Sequence, residues 1–215
     1  MCLTIFFVVK LVISNFRETT WRMGIRMIWT FEKLLVELCA PTIVGCKPAS
    51  LFRYKPQEGV DVHQEVEEWN EKLSKSGISI MILKECCYKK TYLIYVYRYQ
   101  PLSLILSDHK ICKFLEKNGY SLHASVSERL STLSSRLCLD EDFPHEIGIF
   151  LGYPLEDVVG FIENQGENYM YCGHWKVYGN LKKAIKKFNT YNICTTYCKK
   201  RFAQGDSVAR LAVAI

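Results

Sequence analysis

The strongest constraint on this chain is a pair of apolar runs, "ISIMILKE" at 78–85 and "TYLIYVYR" at 91–98, with the polar "CCYKK" between them. Both are rich in β-branched and aromatic side chains, which suit a pleated surface, and a gap of about five residues suits a hairpin loop. Neither run alternates cleanly between apolar and polar positions, so both faces of the hairpin need cover. Helices above and below a sheet would provide it.

The flanking segments supply those helices. "WTFEKLLVEL" at 29–38 has apolar residues at helical spacing, and Pro41 is expected to close it, because the residue before a proline avoids helical angles. "VDVHQEVEEWNEKLSKSG" is the clearest helix: Val62, Val66, Trp69 and Leu73 follow at intervals of four, three and four, and Gly77 suits its end. Further helical stretches are "SDHKICKFLEKNG", with Ser107 as N-cap, and "SVSERLSTLSSRL". "TIVGCKPASLFRY", "EIGIFL" at 146–151 and "NYMYCGHWKVYG" at 168–179 read as extended. The turn "GYP" leads into helix "LEDVVGFIENQG", and Asn180 caps a long helix that runs to Gly205.

The expected fold is a single α/β domain with an α+β tendency, spanning 27–215, in which a mixed sheet of about five strands carries helices on both faces. Residues 1–26 are expected to be an N-terminal extension or to precede the true start at Met23 or Met27. Their apolar stretch is broken by Lys10, is too short to span a bilayer and lacks a small-residue cleavage site. The ten cysteines are scattered, with no secretory pattern, which predicts reduced thiols in a cytoplasmic protein. A chain of 215 residues that is 49% apolar can bury a substantial core. Its net charge of +6 owes much to lysines near the C-terminus, so an anionic partner would meet one surface rather than the whole molecule.

Three motifs in order, "CAPTIVGCKPASLF", "FPHEIGIFLGYPLEDVVGFIEN" and "GHWKVYG", resemble a bacterial family of uncharacterised proteins, domain of unknown function 3793, seen mainly in anaerobic Gram-positive bacteria. The resemblance runs from about residue 31 to the C-terminus. It implies no activity. It places residues 1–26 outside the shared domain, and members commonly carry a tyrosine or similar residue where this chain has His174.

Several residues are candidates for chemistry. On a strand, side chains alternate, so Glu146, Gly148, Phe150 and Gly152 would share one face, with His145 and Ile147 on the other. Glycine within a strand marks the close approach of a ligand or of another part of the chain. Glu146 would then serve as a catalytic base and His145 as a proton carrier beside a ligand shelf at Gly148 and Gly152; the alternative is a helix packed on the glycines. Lys47, held extended before Pro48, needs solvent, an acid such as Glu146 or an anionic ligand. Cys172 and His174, two apart on the last strand, are further ligand-binding candidates, but two such groups do not make a zinc site and no metal is assigned.

No cofactor is named by these residues, and no oligomeric state. No phosphate loop or dinucleotide-binding glycine pattern is present. Two functions fit: a small-molecule-binding protein or enzyme with its pocket around "FPHEIGIFLGYP" and "YCGHWKVYG", or a non-catalytic module that docks on an anionic partner such as nucleic acid. The second would use Lys182, Lys183, Lys186 and Lys187, with Tyr95, Tyr97 and Tyr99 offering rings for stacking.

Overall fold

The computed structural model describes residues 29–140 and 143–214, so the expectations for residues 1–26 lie outside the described residues. Helix α1 (Phe31–Ile43) starts at Thr30, whose hydroxyl accepts from the Lys33 N–H. It does not stop at Pro41 but runs two residues further. Proline costs a helix one N–H donor, and that loss is tolerable where the helix is about to end. Strand β1 (Ala49–Tyr54) follows, then α2 (Val62–Leu73), capped by Asp61 and burying the four residues its spacing predicted. A 3₁₀ turn closes on Gly77 at φ 68°.

Strands β2 (Ile78–Cys86) and β3 (Thr91–Arg98) form the expected antiparallel hairpin, and β1 adds to the free side of β3. The result is a three-stranded antiparallel sheet in the order β1-β3-β2. Alternation along β3 sends Ile94 and Val96 to one core and Tyr95 to the other. On β2, Ile78 and Ile80 join the first core and Leu83 the second, and the register shifts at a bulge between Ile82 and Lys84.

Helices α3 (Tyr99–Leu106), α4 (His109–Lys117), α5 (Val126–Leu139), α6 (Ile147–Phe150) and α7 (Leu155–Glu163) lie along the chain after the hairpin. Asp108, rather than Ser107, caps α4, and Ser125 with Glu128 forms a capping box on α5. Leu102, Leu106, Leu130, Leu133, Ile147, Phe150 and their neighbours cover one face of the sheet. Strands β4 (Tyr171–Cys172) and β5 (Lys176–Val177) form a separate small hairpin, followed by α8 (Leu181–Ala203) and α9 (Val208–Leu211). The other face of the sheet is covered by α1, α2, the end of α8 and α9 through Leu35, Ile43, Leu73, Cys198 and Val208.

The mixed α/β class and the helices on both faces agree with the sequence. The single five-stranded mixed sheet does not: the strands fall into two sheets, and every pairing is antiparallel. The difference lies in two stretches. Residues 146–151 form a helical turn, in which the N–H groups of Ile147, Gly148 and Ile149 bond three residues back to Pro144, His145 and Glu146. A short apolar run without alternation carries no period that separates strand from buried helix. "NYMYCGHWKVYG" folds back on itself between Cys172 and Lys176 instead of continuing as one strand. Among the described residues the nine cysteines are all free thiols, and no helix is long and apolar enough to cross a membrane.

Candidate functional site

The end of α1 sets the position of Lys47. Gly45, at φ 80°, takes the left-handed turn that most side chains resist. Its N–H bonds to Thr42 O at 3.2 Å and the N–H of Cys46 to Pro41 O at 2.7 Å, the paired bonds of a Schellman ending. The Lys47 N–H also reaches Pro41 O, at 3.0 Å. Arg98, 1% exposed, holds the same helix end: Nε donates to Thr42 O at 2.6 Å, and Nη2 to Ile43 O at 2.6 Å and Val213 O at 2.8 Å. Nη1 reaches Ser76 O at 2.7 Å. A guanidinium here meets the carbonyls that a helix C-terminus leaves unpaired.

Lys47 is half-buried. Its Nζ lies 5.5 Å from the ring centre of Tyr153 and 5.9 Å from that of Tyr191, close enough for both ring faces to attract it. Among the described residues no carboxylate lies within ion-pair distance of it. Beneath it, the Ser50 hydroxyl meets Thr42 Oγ1 at 2.8 Å, with the buried Cys39 thiol beside them. Burial lowers the Lys47 ammonium to about 8, with Cys39 pulling the other way. Burial pushes Cys39 up to about 12 against the opposing influence of Lys47 and Ser50, so this thiol offers no negative charge at neutral pH. Tyr191 is likewise raised to about 12 by burial.

His174 faces the same cluster. Its ring lies 5.3 Å from Tyr191 and 5.5 Å from Phe188, and Nε2 meets Asn192 Oδ1 at 3.0 Å. Burial lowers its pKa; the Asn192 contact opposes this, and the positive charge of Lys47 adds to it. Tyr153 bridges the two parts: its ring stacks on Trp175 at 4.9 Å, and its hydroxyl donates to His174 O at 3.3 Å.

A buried carboxylate fixes this wall. Asp157, 3% exposed, accepts from Trp175 Nε1 at 2.7 Å through one oxygen, and from the N–H groups of Tyr178 and Gly179 at 2.8 and 2.7 Å through the other. Two close approaches complete the join: a Cβ at Gly160 would lie 2.5 Å from Tyr178, and one at Gly173 would lie 2.3 Å from Phe188. "LEDVVG" and "GHWKVYG" are therefore the two halves of one packed junction.

The candidates named from sequence fall into separate places. Lys47 and His174 meet around Tyr153 and Tyr191. Glu146, 2% exposed, instead accepts from Arg136 Nε at 2.7 Å and Tyr120 OH at 3.0 Å, so Arg136 rather than Lys47 is its partner. Burial, with the carboxylate beside it, pushes the Tyr120 phenol well above its ordinary range. The His145 ring packs between Phe143 and Phe161, at 5.8 and 5.0 Å. The space left by Gly148 is taken by Val158 and Tyr153, with a Cβ there only 2.8 Å from Val158. At Gly152, φ 77°, it is taken by Pro48, 2.3 Å from where a Cβ would stand. That contact brings the residue after Lys47 against the residue before Tyr153.

Cys172 is exposed on β4, and among the described residues no three His, Cys, Asp or Glu side chains gather as metal ligands would. Lys182, Lys183, Lys186 and Lys187 are exposed on α8, and Ile185 among them is exposed too. Tyr95 is fully buried and donates to Phe150 O at 2.6 Å, while Tyr99 opens α3, so the three tyrosines form no exposed stacking face.

Tyr153, Tyr191, Arg98 and Asp157 were not singled out from sequence. Alternation along "YLIYVYR" does place Arg98 on the face of Ile94 and Val96, a signal for a buried cation. Tyr191 lies three residues beyond Phe188 and three before Cys194, on the buried stripe of α8. Nothing in the sequence brings Tyr153 to Lys47, because the two meet only through tertiary packing.

A family model described as a protein of unknown function, DUF3793, matches residues 35–212, most of the chain. No curated protein and no solved structure matches it.

Proposed function

The chain belongs to the DUF3793 family, whose description assigns no activity, and we propose that it holds a small molecule against Lys47, between the "GYP" turn and the "GHWKVYG" hairpin. The observation that carries this reading is an amine drawn partly out of water with no carboxylate partner among the described residues. Withdrawing an ammonium from water costs free energy unless something repays it, and two tyrosine faces repay only part. A ligand with a carbonyl, carboxylate or phosphate toward Nζ would supply the missing contact, and Tyr153, Tyr191 and His174 would flank it.

The test is a thermal-shift screen of small carboxylates, phosphates and carbonyl compounds on the full chain and on Lys47→Met. A rise in Tm seen only in the unsubstituted protein supports the reading. Equal shifts in both proteins, or none in either, would remove it. The exposure of Lys182, Lys183, Lys186 and Lys187 along one helix keeps a second reading, docking on a polyanion. Retention on heparin that disappears when all four are changed to Gln would favour it; unchanged retention would end it.

A further inference from the structure

We propose that Lys47 captures carbonyl compounds covalently, condensing with a small aldehyde or 2-oxo acid to form an imine at Nζ. This rests on the reading of Lys47 as the ligand site and names the ligand class.

The donors around Lys47 separate this reading from plain anion binding. Sites that hold carboxylate or phosphate by charge alone usually add backbone N–H groups or an arginine fork to a lysine. Here the N–H groups of Cys46 and Lys47 are both spent on Pro41 O. The guanidinium of Arg98 is spent on four carbonyls. The hydroxyls of Thr42 and Ser50 meet each other. Among the described residues the amine itself is the donor this loop leaves over, a single point contact that suits bond formation better than anion clamping.

The surroundings also favour the reactive form. No carboxylate among the described residues holds the ammonium protonated, and the neighbouring thiol is neutral. A lysine so placed keeps a larger unprotonated fraction than a surface lysine, and the unprotonated amine is the nucleophile. Its lone pair forms the C–N bond at the carbonyl carbon while the π pair moves to oxygen, which takes a proton. That oxygen takes a second proton, the C–O bond breaks and water leaves; nitrogen loses one proton before this step and one after it, and these two balance the protons carried off in water. The balance is amine plus carbonyl to imine plus water, with no oxidant or reductant. The Tyr191 phenol and the His174 imidazole are the proton-carrying groups beside it, and the rings of Tyr153 and Tyr191 would face the cationic protonated imine.

The experiment is reductive trapping on the full chain with pyruvate and cyanoborohydride at pH 8, followed by peptide mass spectrometry. Labelling of Lys47 at least tenfold faster than the exposed Lys182 and Lys183, with no such fast site in Lys47→Arg, is the expected result. Labelling spread over exposed lysines, with Lys47 no faster than the rest, overturns the proposal. Lactate, which lacks the carbonyl, separates the two readings by thermal shift. If it raises Tm in the unsubstituted protein and not in Lys47→Met while trapping fails, the ligand site stands and the imine falls. If pyruvate gives neither adduct nor shift and lactate gives no shift, the imine falls together with this ligand class.

Discussion

Glu146 and Lys47 are both ionisable groups drawn inward, and they are treated in opposite ways. The carboxylate is matched: Arg136 and Tyr120 both donate to the same oxygen, and Arg136 reaches outward to Asp140 at 3.4 Å. The amine has no carboxylate partner among the described residues, with ring faces and a neutral thiol around it. A buried charge with its partners in place is a fixed part of the fold, whereas one left without them stores a deficit that a ligand can remove. Burial alone does not mark a site. What separates the two places is whether burial is compensated.

The most severe way to break this comparison is to remove the support beneath Lys47. Arg98→Met would leave the carbonyls of Thr42, Ile43, Ser76 and Val213 without their donor. The expected loss is about 4 kcal/mol, since each buried acceptor left unmade costs about 1 kcal/mol or more. A denaturant melt would measure it. A loss below about 1 kcal/mol would mean that water replaces the guanidinium and that the loop has another anchor.

Glu146→Gln tests the matched side. The amide keeps a carbonyl oxygen for Tyr120 and Arg136 but removes the charge, and Arg136 is 30% exposed and can recover water. Destabilisation of about 2 kcal/mol is expected, less than for a fully buried pair. Ligand shifts found for the unsubstituted protein should persist in this variant. Unchanged stability with lost binding would reverse the comparison and move the site to Glu146.

Lys47→Met should do the opposite. Methionine has a similar reach and no charge to desolvate, so stability should not fall and near neutral pH should rise. A loss as large as that of Glu146→Gln would show that the amine has a structural partner after all.

The same contrast explains what could be read in the sequence. Elements with a clear period were legible: the four residues of α2 at intervals of four, three and four, the hairpin of β2 and β3, and the Asn180 cap of α8, whose Oδ1 accepts from the Lys183 N–H at 3.0 Å. Residues 146–151 were not, because an unbroken apolar run fits a buried helical turn as well as a strand. At Gly148 and Gly152 the crowding signalled by glycine is real, but Val158 and Pro48 cause it, and composition cannot tell a side chain from a ligand. Lys47 could be named because a lysine before proline in an apolar stretch is conspicuous. Its walls could not: Tyr153 and Tyr191 come from segments more than 100 residues further along the chain, brought there by the Pro48–Gly152 contact and by the packing of α8.

The smallest expected effect is the most specific, because it depends on the amine and not on the shape of the site. The Lys47 ammonium is lowered by burial from 10.5 to about 8. Between those values the unfolded chain holds a proton that the folded chain has lost, so this residue makes stability rise with pH across that window. Below it both states are protonated and the desolvation penalty is felt in full; above it both are neutral and the penalty is gone. Cys39 acts in the opposite sense from its ordinary 9.0 upward, since the folded thiol keeps its proton to about 12. The clean interval is therefore pH 7.5 to 9. Over that interval the stability of Lys47→Met relative to the unsubstituted protein should decline steadily, as measured by paired urea melts. A gap that stays constant would mean that the amine is hydrated like a surface lysine, and the deficit that distinguishes it from Glu146 would not exist.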